Sequence, residues 1–301
     1  MADFSIGIVG LDALGSALIR RLDERGIGST ATDLNGRLLQ AHLAGGGSAP
    51  AGSPYDLAQV CDLILLAETS DQAAHEAVLG PVGLVHALRP GTIIVDLSDV
   101  SPHSGPALAR ALYAKGVIWI EATPVGTPAD ARAGKLTLLA AGAADALDRI
   151  EPVLSAFAAK ILRLGELGTG PLAKALASSF GALSIAIHTE MLVVAKRTGL
   201  DAAGILAALP LLAPGMGSAP AALASQVLSG RYDGDVSSKR LQDDVARVLD
   251  AARAAAAPTL FLPLLQAAAA AAGHSPRATG NALDVARWIA DNAAVEFGEP
   301  A

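Results

Sequence analysis

Residues 6–18, IGIVGLDALGSAL, place an apolar run, a glycine turn and a helix start in one short segment. This order predicts a buried strand that turns tightly at Gly10, with Gly15 letting the following helix pack closely on the sheet. A turn of this kind can hold the pyrophosphate of a dinucleotide. Asp12 stands where a second glycine would let the backbone approach that group. Its charge would oppose an anion by roughly 4 kcal/mol at about 4 Å and an effective dielectric constant near 20.

Asp12 leaves three outcomes open for this turn. Its side chain can oppose a bound pyrophosphate, or rotate into solvent. It can also accept hydrogen bonds from the N–H groups at the helix start and occupy the anion site itself. The turn alone is a weak signal, because a strand-to-helix connection in an α/β domain that binds nothing has the same pattern.

Asp33 follows Gly10 by 23 positions, at the predicted end of the second strand. A carboxylate at that place accepts hydrogen bonds from the adenosine ribose and repels a 2′-phosphate, which favours NAD over NADP. The turn residues predicted to contact this cofactor are Gly10, Leu11, Asp12, Ala13, Leu14 and Gly15.

Short β-rich runs alternate with helical stretches through the first half of the chain. The pattern predicts an α/β domain of the doubly wound Rossmann type, with a parallel sheet covered by helices. The predicted strands are Phe4–Val9, Ser29–Asp33, Asp62–Ala67, Thr92–Asp96, Val117–Glu121, Lys135–Ala141 and Ile161–Leu164, with a helix at Ala144–Ala159. Because ligands bind at the carboxyl ends of parallel strands, Ala67, Glu68 and Ser98 are expected to line the cofactor cleft.

The second half is predicted to be entirely helical. The domain boundary is expected in the glycine-rich stretch Gly165–Gly170, which gives a dinucleotide-binding domain at 1–166 and a helical domain at 167–301. A long helix at Leu172–Arg197 is expected to link the two. It is apolar nearly all round and needs neighbours on every side, which predicts a homodimer. The other predicted helices are Ala202–Leu209, Ala221–Leu228, Ser237–Ala256, Leu260–Ala272 and Ala282–Asn292.

Composition narrows the possible partners. A length of 301 residues favours two domains, and a net charge of −7 without basic clusters argues against nucleic acid. The hydrophobic fraction of 52% is rich in alanine, and charged residues interrupt the longest apolar stretch, so no membrane span is predicted. The start of the chain lacks a basic leader, and Cys61 is the single cysteine. These features favour a cytoplasmic protein with a small-molecule substrate.

Several further segments occur in a fixed order along nearly the whole chain. They are DLSDVSPHS (96–104), EATPVGTPADARAGKLTLLAAG (121–142), GTGPLAKALASS (168–179) and EMLVVAKRTGLD (190–201). With the glycine turn, they resemble the β-hydroxyacid dehydrogenase family, whose members carry a nucleotide-binding domain like that of 6-phosphogluconate dehydrogenase. The resemblance implies an NAD(P)-dependent interconversion of a short 3-hydroxy acid and its semialdehyde, at a cleft between two domains.

The resemblance also implies a catalytic lysine. The family motif GxGxxxK falls on Gly168, Gly170 and Lys174, so Lys174 is expected to exchange a proton with the substrate oxygen as hydride is transferred. The positive end of the helix disfavours the protonated amine, which suits this role. An ordinary surface lysine fits poorly, because the neighbours of Lys174 are apolar.

Substrate-side positions depart from the family. Ser178 and Ala177 replace asparagines one turn after the lysine, and Gly126, Thr127 and Pro128 replace the family's Ser-Gly-Gly loop. Pro128 lacks the N–H that a substrate carboxylate would use. The resemblance assigns substrate binding to Ser98, Thr123, Gly126, Thr127 and Ser178.

The C-terminal domain departs as well. A family Lys-Asp pair falls on Asp243 and Asp244, so Lys239 or Arg240 would have to supply the positive charge toward the cofactor. For Asp244 the solvated face of a helix is expected. His188 and Glu190 lack metal-ligand companions and are interpreted as core or interdomain polar residues; no metal site is predicted.

Two functions remain open at this stage. The first is an active nicotinamide oxidoreductase with an altered substrate. An imine reductase is a variant of it, but those relatives usually carry aspartate or tyrosine in place of Lys174. The second is a degenerate or differently liganded homologue, because Asp12, Glu68 and Asp243 put three acids on the cofactor side. Lys174 and Asp33 favour the dehydrogenase.

Overall fold

A computed structural model of the chain describes residues 4–44, 49–197, 199–212, 226–234, 236–254 and 257–298. It divides into two compact units, Met1–Lys174 and Ala175–Ala301. The first unit is built on an eight-stranded sheet with the order β3-β2-β1-β4-β5-β6-β7-β8. The strands are β1 (Ile6–Val9), β2 (Ser29–Thr32), β3 (Ala49–Pro50), β4 (Leu63–Leu66), β5 (Ile93–Asp96), β6 (Ile118–Val125), β7 (Leu136–Ala141) and β8 (Ala158–Gly165).

The sheet is mostly parallel, which confirms the Rossmann-type α/β prediction. Only the pair β6 and β7 runs antiparallel among the paired strands described. The helices of this unit are α1 (Ala13–Glu24), α2 (Gly36–Ala44), α3 (Pro54–Val60), α4 (Asp71–Leu79), α5 (Ser104–Leu112), α6 (Pro128–Ala133) and α7 (Ala144–Leu154).

Both faces of the central strands are buried. In β4, Leu63 and Leu65 pack in one apolar cluster, and Ile64 and Leu66 pack in a second cluster. A strand covered on both faces has no polar side, which explains why the sequence reads as an unbroken apolar run instead of an alternating one. The carboxyl ends of β1, β2, β4, β5 and β6 therefore open at the same edge of a rigid sheet.

The structure differs from the sequence prediction after β5. Strand β6 continues four residues beyond Glu121 because the chain turns back and pairs as antiparallel β7. The turn contains the short helix α6, which was not predicted. Helix α7 ends at Leu154 instead of Ala159, because the residues from Ala158 onward already pair as β8.

The described residues of the second unit are helical, as predicted. They are linked to the first unit through α8 (Thr169–Arg197), and the further helices are α9 (Ala202–Leu212), α10 (Ser238–Ala254), α11 (Phe261–Gly273) and α12 (Asp284–Asn292). In the part of this unit that the structure describes, β-pairing is limited to the single bridge between Ser237 and Asn281. Most of the predicted helix Ala221–Leu228 lies outside the described residues.

The expectation for Asp244 is wrong. Its side chain is 1% exposed and lies on the apolar face of α10, 3.7 Å from Arg240 and 3.3 Å from Arg247. The two guanidinium groups compensate the buried charge. His188 is buried and contacts the carbonyl oxygen of Ser184 one turn earlier, as expected of a core histidine. The side chain of Glu190 lies outside the described part of the chain.

Helix α8 is unusually apolar. Its stretch Thr169–Thr189 is long and apolar enough to cross a membrane by length and composition, the one such helix in the described ranges, and 22% of that window is buried. The same test is passed by core helices of soluble proteins. Among the described side chains of α8, the large apolar ones that are exposed are Leu176, Phe180 and Ile187.

Candidate active site

The glycine turn after β1 packs directly on the end of β4. Gly10 has a φ of +100°, and a Cβ there would lie 2.4 Å from the carbonyl oxygen of Ala67. A Cβ on Gly15 would lie 1.9 Å from the carbonyl oxygen of Gly10. Both positions therefore exclude any side chain, and the turn has the close backbone approach that a dinucleotide-binding turn requires.

Asp12 takes the third of the three outcomes left open by the sequence. It is the N-cap of α1, and its Oδ1 accepts hydrogen bonds from the N–H groups of Leu14 and Gly15, each at 3.0 Å. Ala13, the first residue of the helix, is exposed. The anion-binding end of α1 is therefore already occupied by a carboxylate of the protein itself.

Asp33 lies just beyond β2 and is tied to the same turn. Its Oδ2 accepts the Leu11 N–H at 2.7 Å, and its Oδ1 accepts the Asn35 N–H at 2.6 Å. The carboxylate is thus held by two backbone donors at the place where the sequence analysis expects a ribose to bind.

Glu68 follows β4 and faces the other acids across a cleft. The cleft has a volume of about 500 Å³, and Gly10, Asp12, Asp33, Ala67 and Glu68 are among its lining residues. Burial and, in decreasing order, the charges of Asp33, Asp12 and Asp96 together raise the pKa of Glu68 to about 7. Near neutral pH, Glu68 therefore gains or loses a proton within the predicted cofactor cleft.

Ser98 is buried at the end of β5, where it links two strands. Its hydroxyl accepts the Glu68 N–H at 3.0 Å and donates to the carbonyl oxygen of Leu66 at 3.3 Å. Its own N–H donates to Asp96 at 3.0 Å. Ser98 thereby fixes the backbone that lines the cleft. Its predicted contact with cofactor or substrate stays a prediction.

Lys174 lies half-buried in the second turn of α8. The helix starts in contact with the sheet, because a Cβ on Gly170 would lie 2.7 Å from the hydroxyl of Thr123 and 2.9 Å from the carbonyl oxygen of Leu139. Lys174 is one turn after Gly170 on the same face of the helix, and Ser178 is one turn further. The first unit thus carries both the glycine turn and the predicted catalytic amine.

Glu121 is a functional candidate that the sequence reasoning missed. It is 1% exposed, and both of its carboxylate oxygens accept the Gly168 N–H, at 2.8 and 2.7 Å. Burial raises the pKa of Glu121 to about 7 against the opposing effect of this hydrogen bond, and the charge of Asp96 adds to the rise. The available signal was an acid at the end of the predicted, otherwise apolar strand Val117–Glu121.

Comparison with known proteins places these features in a family. A family model described as the NAD binding domain of 6-phosphogluconate dehydrogenase matches residues 5–165, more than half of the chain. A second, described as the NAD-binding of NADP-dependent 3-hydroxyisobutyrate dehydrogenase, matches residues 168–289. This chain belongs to the β-hydroxyacid dehydrogenase family.

Individual proteins are similar to this chain in sequence or in fold. The L-threonate dehydrogenase of Cupriavidus necator is 31% identical over 198 residues, which are 65% of this chain and 66%, just under two thirds, of that enzyme. The 3-hydroxyisobutyrate dehydrogenase of Mycobacterium tuberculosis, solved with L-serine, has a TM-score of 0.82 at 20% identity, over 95% of this chain and 99% of that chain. The corresponding Salmonella typhimurium structure has a TM-score of 0.74 at 24% identity, over 95% and 100%. At these identities the structures show a shared fold.

In this member of the family, the residues of the predicted substrate loop form a helix cap. The Thr127 hydroxyl accepts the Asp130 N–H at 3.2 Å and donates to Asp130 Oδ2 at 2.7 Å, and Oδ2 also accepts the Thr127 N–H at 2.9 Å. Pro128 occupies the first position of α6, where a missing N–H costs nothing. Gly126 precedes the cap with a φ of +131°. The polar groups of Thr127 are therefore already engaged.

Lys239 and Asp243 form an ion pair on α10. The Lys239 amine lies 2.7 Å from Asp243, and the lysine side chain is 84% exposed. An exposed pair one turn apart contributes little to stability. It does neutralise the acid that replaces the family lysine, so the predicted role of Lys239 toward a cofactor stays a prediction.

Replacing Asp12 separates its capping role from its charge. Asp12→Ala removes both hydrogen bonds at the start of α1 and is expected to lower the free energy of unfolding by about 1 kcal/mol. Asp12→Asn keeps an acceptor and serves as the matched control, with a change below about 0.5 kcal/mol. Chemical denaturation at pH 7 measures both. Equal stability of the Ala variant and the wild type would contradict the capping role.

Proposed function

We propose that this protein is a nicotinamide-dependent dehydrogenase that interconverts a small hydroxy acid and the corresponding carbonyl compound. The observation that carries the proposal is the position of Lys174, half-buried one turn after Gly170 in the unit that holds the glycine turn. The names of the relatives, which include L-threonate dehydrogenase and a structure with L-serine, support a short hydroxylated acid as substrate.

The proposed reaction transfers one hydride and one proton between the protein with its cofactor and the substrate. The bound nicotinamide supplies or takes the hydride. In the reducing direction, the Lys174 amine donates a proton to the carbonyl oxygen, and in the oxidising direction it takes the hydroxyl proton. Because Thr127 is engaged in a helix cap, the proposed substrate is held by contacts that differ from the family pattern.

The shape of the turn fits a dinucleotide, and its charge opposes one. Gly10 and Gly15 allow the close approach, and Asp33 stands where the ribose is expected. We propose NAD as the preferred cofactor, because the Asp33 carboxylate repels a 2′-phosphate. The Asp12 carboxylate already accepts hydrogen bonds from the N–H groups of Leu14 and Gly15. A pyrophosphate that binds to these N–H groups would have to displace it. NAD binding is therefore expected to be weaker than in family members with glycine at this position.

The same contact supports a second candidate function, a homologue whose turn no longer binds a nucleotide. In that case Asp12 caps α1 permanently, and its only role is to stabilise the fold. The two candidates differ in a single measurement, the binding of NADH to the wild-type protein.

Lys174→Ala tests the proposed reaction. Wild-type protein is expected to bind NADH more tightly than NADPH in a calorimetric titration. The variant is expected to keep that affinity and to lose turnover of short hydroxy acids by about 100- to 10,000-fold, the usual contribution of a general acid or base. Lys160→Ala, an exposed lysine of β8, is the control. Wild-type protein that binds neither nucleotide at millimolar concentration would refute this function and favour the degenerate homologue.

Glu68 is expected to make NADH binding depend on pH. Because its pKa is raised to about 7, the side chain is neutral below that pH and becomes charged as the pH rises through it. An additional negative charge beside a pyrophosphate weakens binding, so the Kd for NADH should rise by up to about tenfold per pH unit above pH 7.

Titrations from pH 6 to 9 measure this effect. Glu68→Gln should flatten the profile, and Glu76→Gln, which changes an exposed acid of the same cleft, should leave it unchanged. A wild-type Kd that is constant from pH 6 to 9 would contradict the role of Glu68.

We also propose a cytoplasmic homodimer that buries the exposed face of α8. Leu176, Phe180 and Ile187 recur at spacings of four and seven, so they lie on one side of the helix. A second copy of the chain is the proposed cover for this face. The apolar character of α8 would then serve subunit contact.

Phe180→Glu tests the dimer. Phe180 is 70% exposed in the single chain, and a buried unpaired glutamate would cost the dimer several kcal/mol. Sedimentation at micromolar concentration should give twice the chain mass of 30.1 kDa for the wild type and one chain for the variant. The control is Tyr113→Glu, an exposed aromatic residue far along the sequence. A monomeric wild type, or one that stays in solution only with detergent, would exclude the proposed interface.

A further inference from the structure

Glu121 joins the middle of β6, at the level where β5 ends, to the turn that precedes α8. The contact between its carboxylate and the Gly168 N–H spans 47 positions of sequence. Taking a carboxylate out of water costs several kcal/mol unless hydrogen bonds offset the loss. Glu121 is 1% exposed and has this one N–H as its hydrogen-bond donor among the described residues. An acid kept at such a cost indicates a specific task for the contact.

The surrounding backbone leaves room for this carboxylate and little else. A Cβ on Gly105, in the first turn of α5, would lie 2.2 Å from Glu121 Oε1. Gly168 has a φ of +90°, and a Cβ there would lie 2.6 Å from the carbonyl oxygen of Pro102. Glycine is therefore required at position 168, and a side chain at position 105 would displace the Glu121 carboxylate. The turn is held between the start of α5 and Glu121 in the middle of β6.

The position of Lys174 depends on the same turn. Gly170 contacts Thr123 and Leu139 so closely that a Cβ does not fit, which fixes the start of α8 on the sheet. Lys174 is one turn further along a continuous helix. A displacement of the Gly168 amide would shift this first part of α8, and a misplacement of about 1 Å at a reacting group can cost about 100-fold in rate.

We propose that Glu121 is a positioning residue for Lys174: its carboxylate holds the Gly168 amide and thereby fixes the first turns of α8 against the sheet. The inference rests on the proposed role of Lys174 in proton transfer. Glu121 acts through the backbone, without contact to substrate or cofactor.

The groups around Glu121 make the strength of this contact depend on pH. Asp96 is its register partner on β5 and acts on it as a like charge, whereas its partner on β7, Ala141, and the adjoining Gly105 and Gly168 are uncharged. Burial raises the pKa of Glu121 to about 7. An ionised carboxylate accepts a hydrogen bond more strongly than a neutral one. The contact is therefore strongest above pH 7 and weakens as the pH falls through that value.

Steady-state kinetics between pH 5.5 and 9 on three variants test the proposal. Glu121→Ala removes the acceptor and is expected to lower kcat by at least about tenfold, with the Kd for NADH within about twofold of the wild type. Glu121→Gln keeps an acceptor without an ionisation, so it should restore most of kcat and remove the acid limb near pH 7. Glu166→Gln, an exposed acid of the same turn, should behave like the wild type.

Hydrogen exchange of residues 165–172 gives a readout that needs no turnover. Exchange should be faster in Glu121→Ala than in the wild type, and in the wild type it should speed up below pH 7 relative to the intrinsic rate. An unchanged kcat in Glu121→Ala, or an acid limb that persists in Glu121→Gln, overturns the proposal. If Glu121→Ala does not fold, the pH profile of kcat in Glu121→Gln tests the proposal instead. Wild-type protein without turnover, but with Glu121-dependent exchange, would refute the proposed function and retain the contact as a structural clamp.

Discussion

Carboxylates accept the backbone N–H groups that turns present at the carboxyl edge of the sheet, and the geometry of the candidate site depends on these contacts. Parallel strands end there together, and each chain segment leaves the sheet through a turn whose amides need acceptors. In this protein the acceptors are acids from the same edge. The pairs are Asp12 with Leu14 and Gly15, Asp33 with Leu11, Asp96 with Ser98, and Glu121 with Gly168.

This arrangement has a cost that depends on pH. Burial raises the pKa of Glu68 and Glu121 to about 7 and that of Asp96 to about 6. Each raised pKa means that the folded protein holds its proton to a higher pH than the unfolded chain does. The stability that these three groups contribute is therefore complete below about pH 4 and decreases as the pH rises to about 7. Hydrogen bonds from the Ser98 and Gly168 N–H groups offset part of this cost for Asp96 and Glu121.

The fold was largely readable from the sequence because its signals are local. An unbroken apolar strand, a glycine that must adopt a positive φ and a long apolar helix each occupy a few consecutive residues. Two local signals were overlooked. Thr127 and Asp130 have the spacing of a capping box, and Pro128 suits the first position of a helix, so α6 was predictable. Asp244 lies three positions after Leu241 and four before Val248, on the face of α10 that is buried.

The site was less readable because its contacts join distant positions. Nothing near Glu121 in the sequence names Gly168 as its partner, and Gly105 looks like an ordinary helix glycine until Glu121 Oε1 is placed beside it. The sequence alone also leaves two opposite interpretations of each acid, as a group that repels an anion or as a hydrogen-bond acceptor for the protein's own backbone. Asp12 reads as an obstacle to an anion, whereas in the structure it satisfies the amides that an anion would use. The Asp12 carboxylate thus stabilises the empty turn and opposes a bound pyrophosphate. Both groups compete for the same two N–H groups, so the exchange of one for the other sets the affinity of the site.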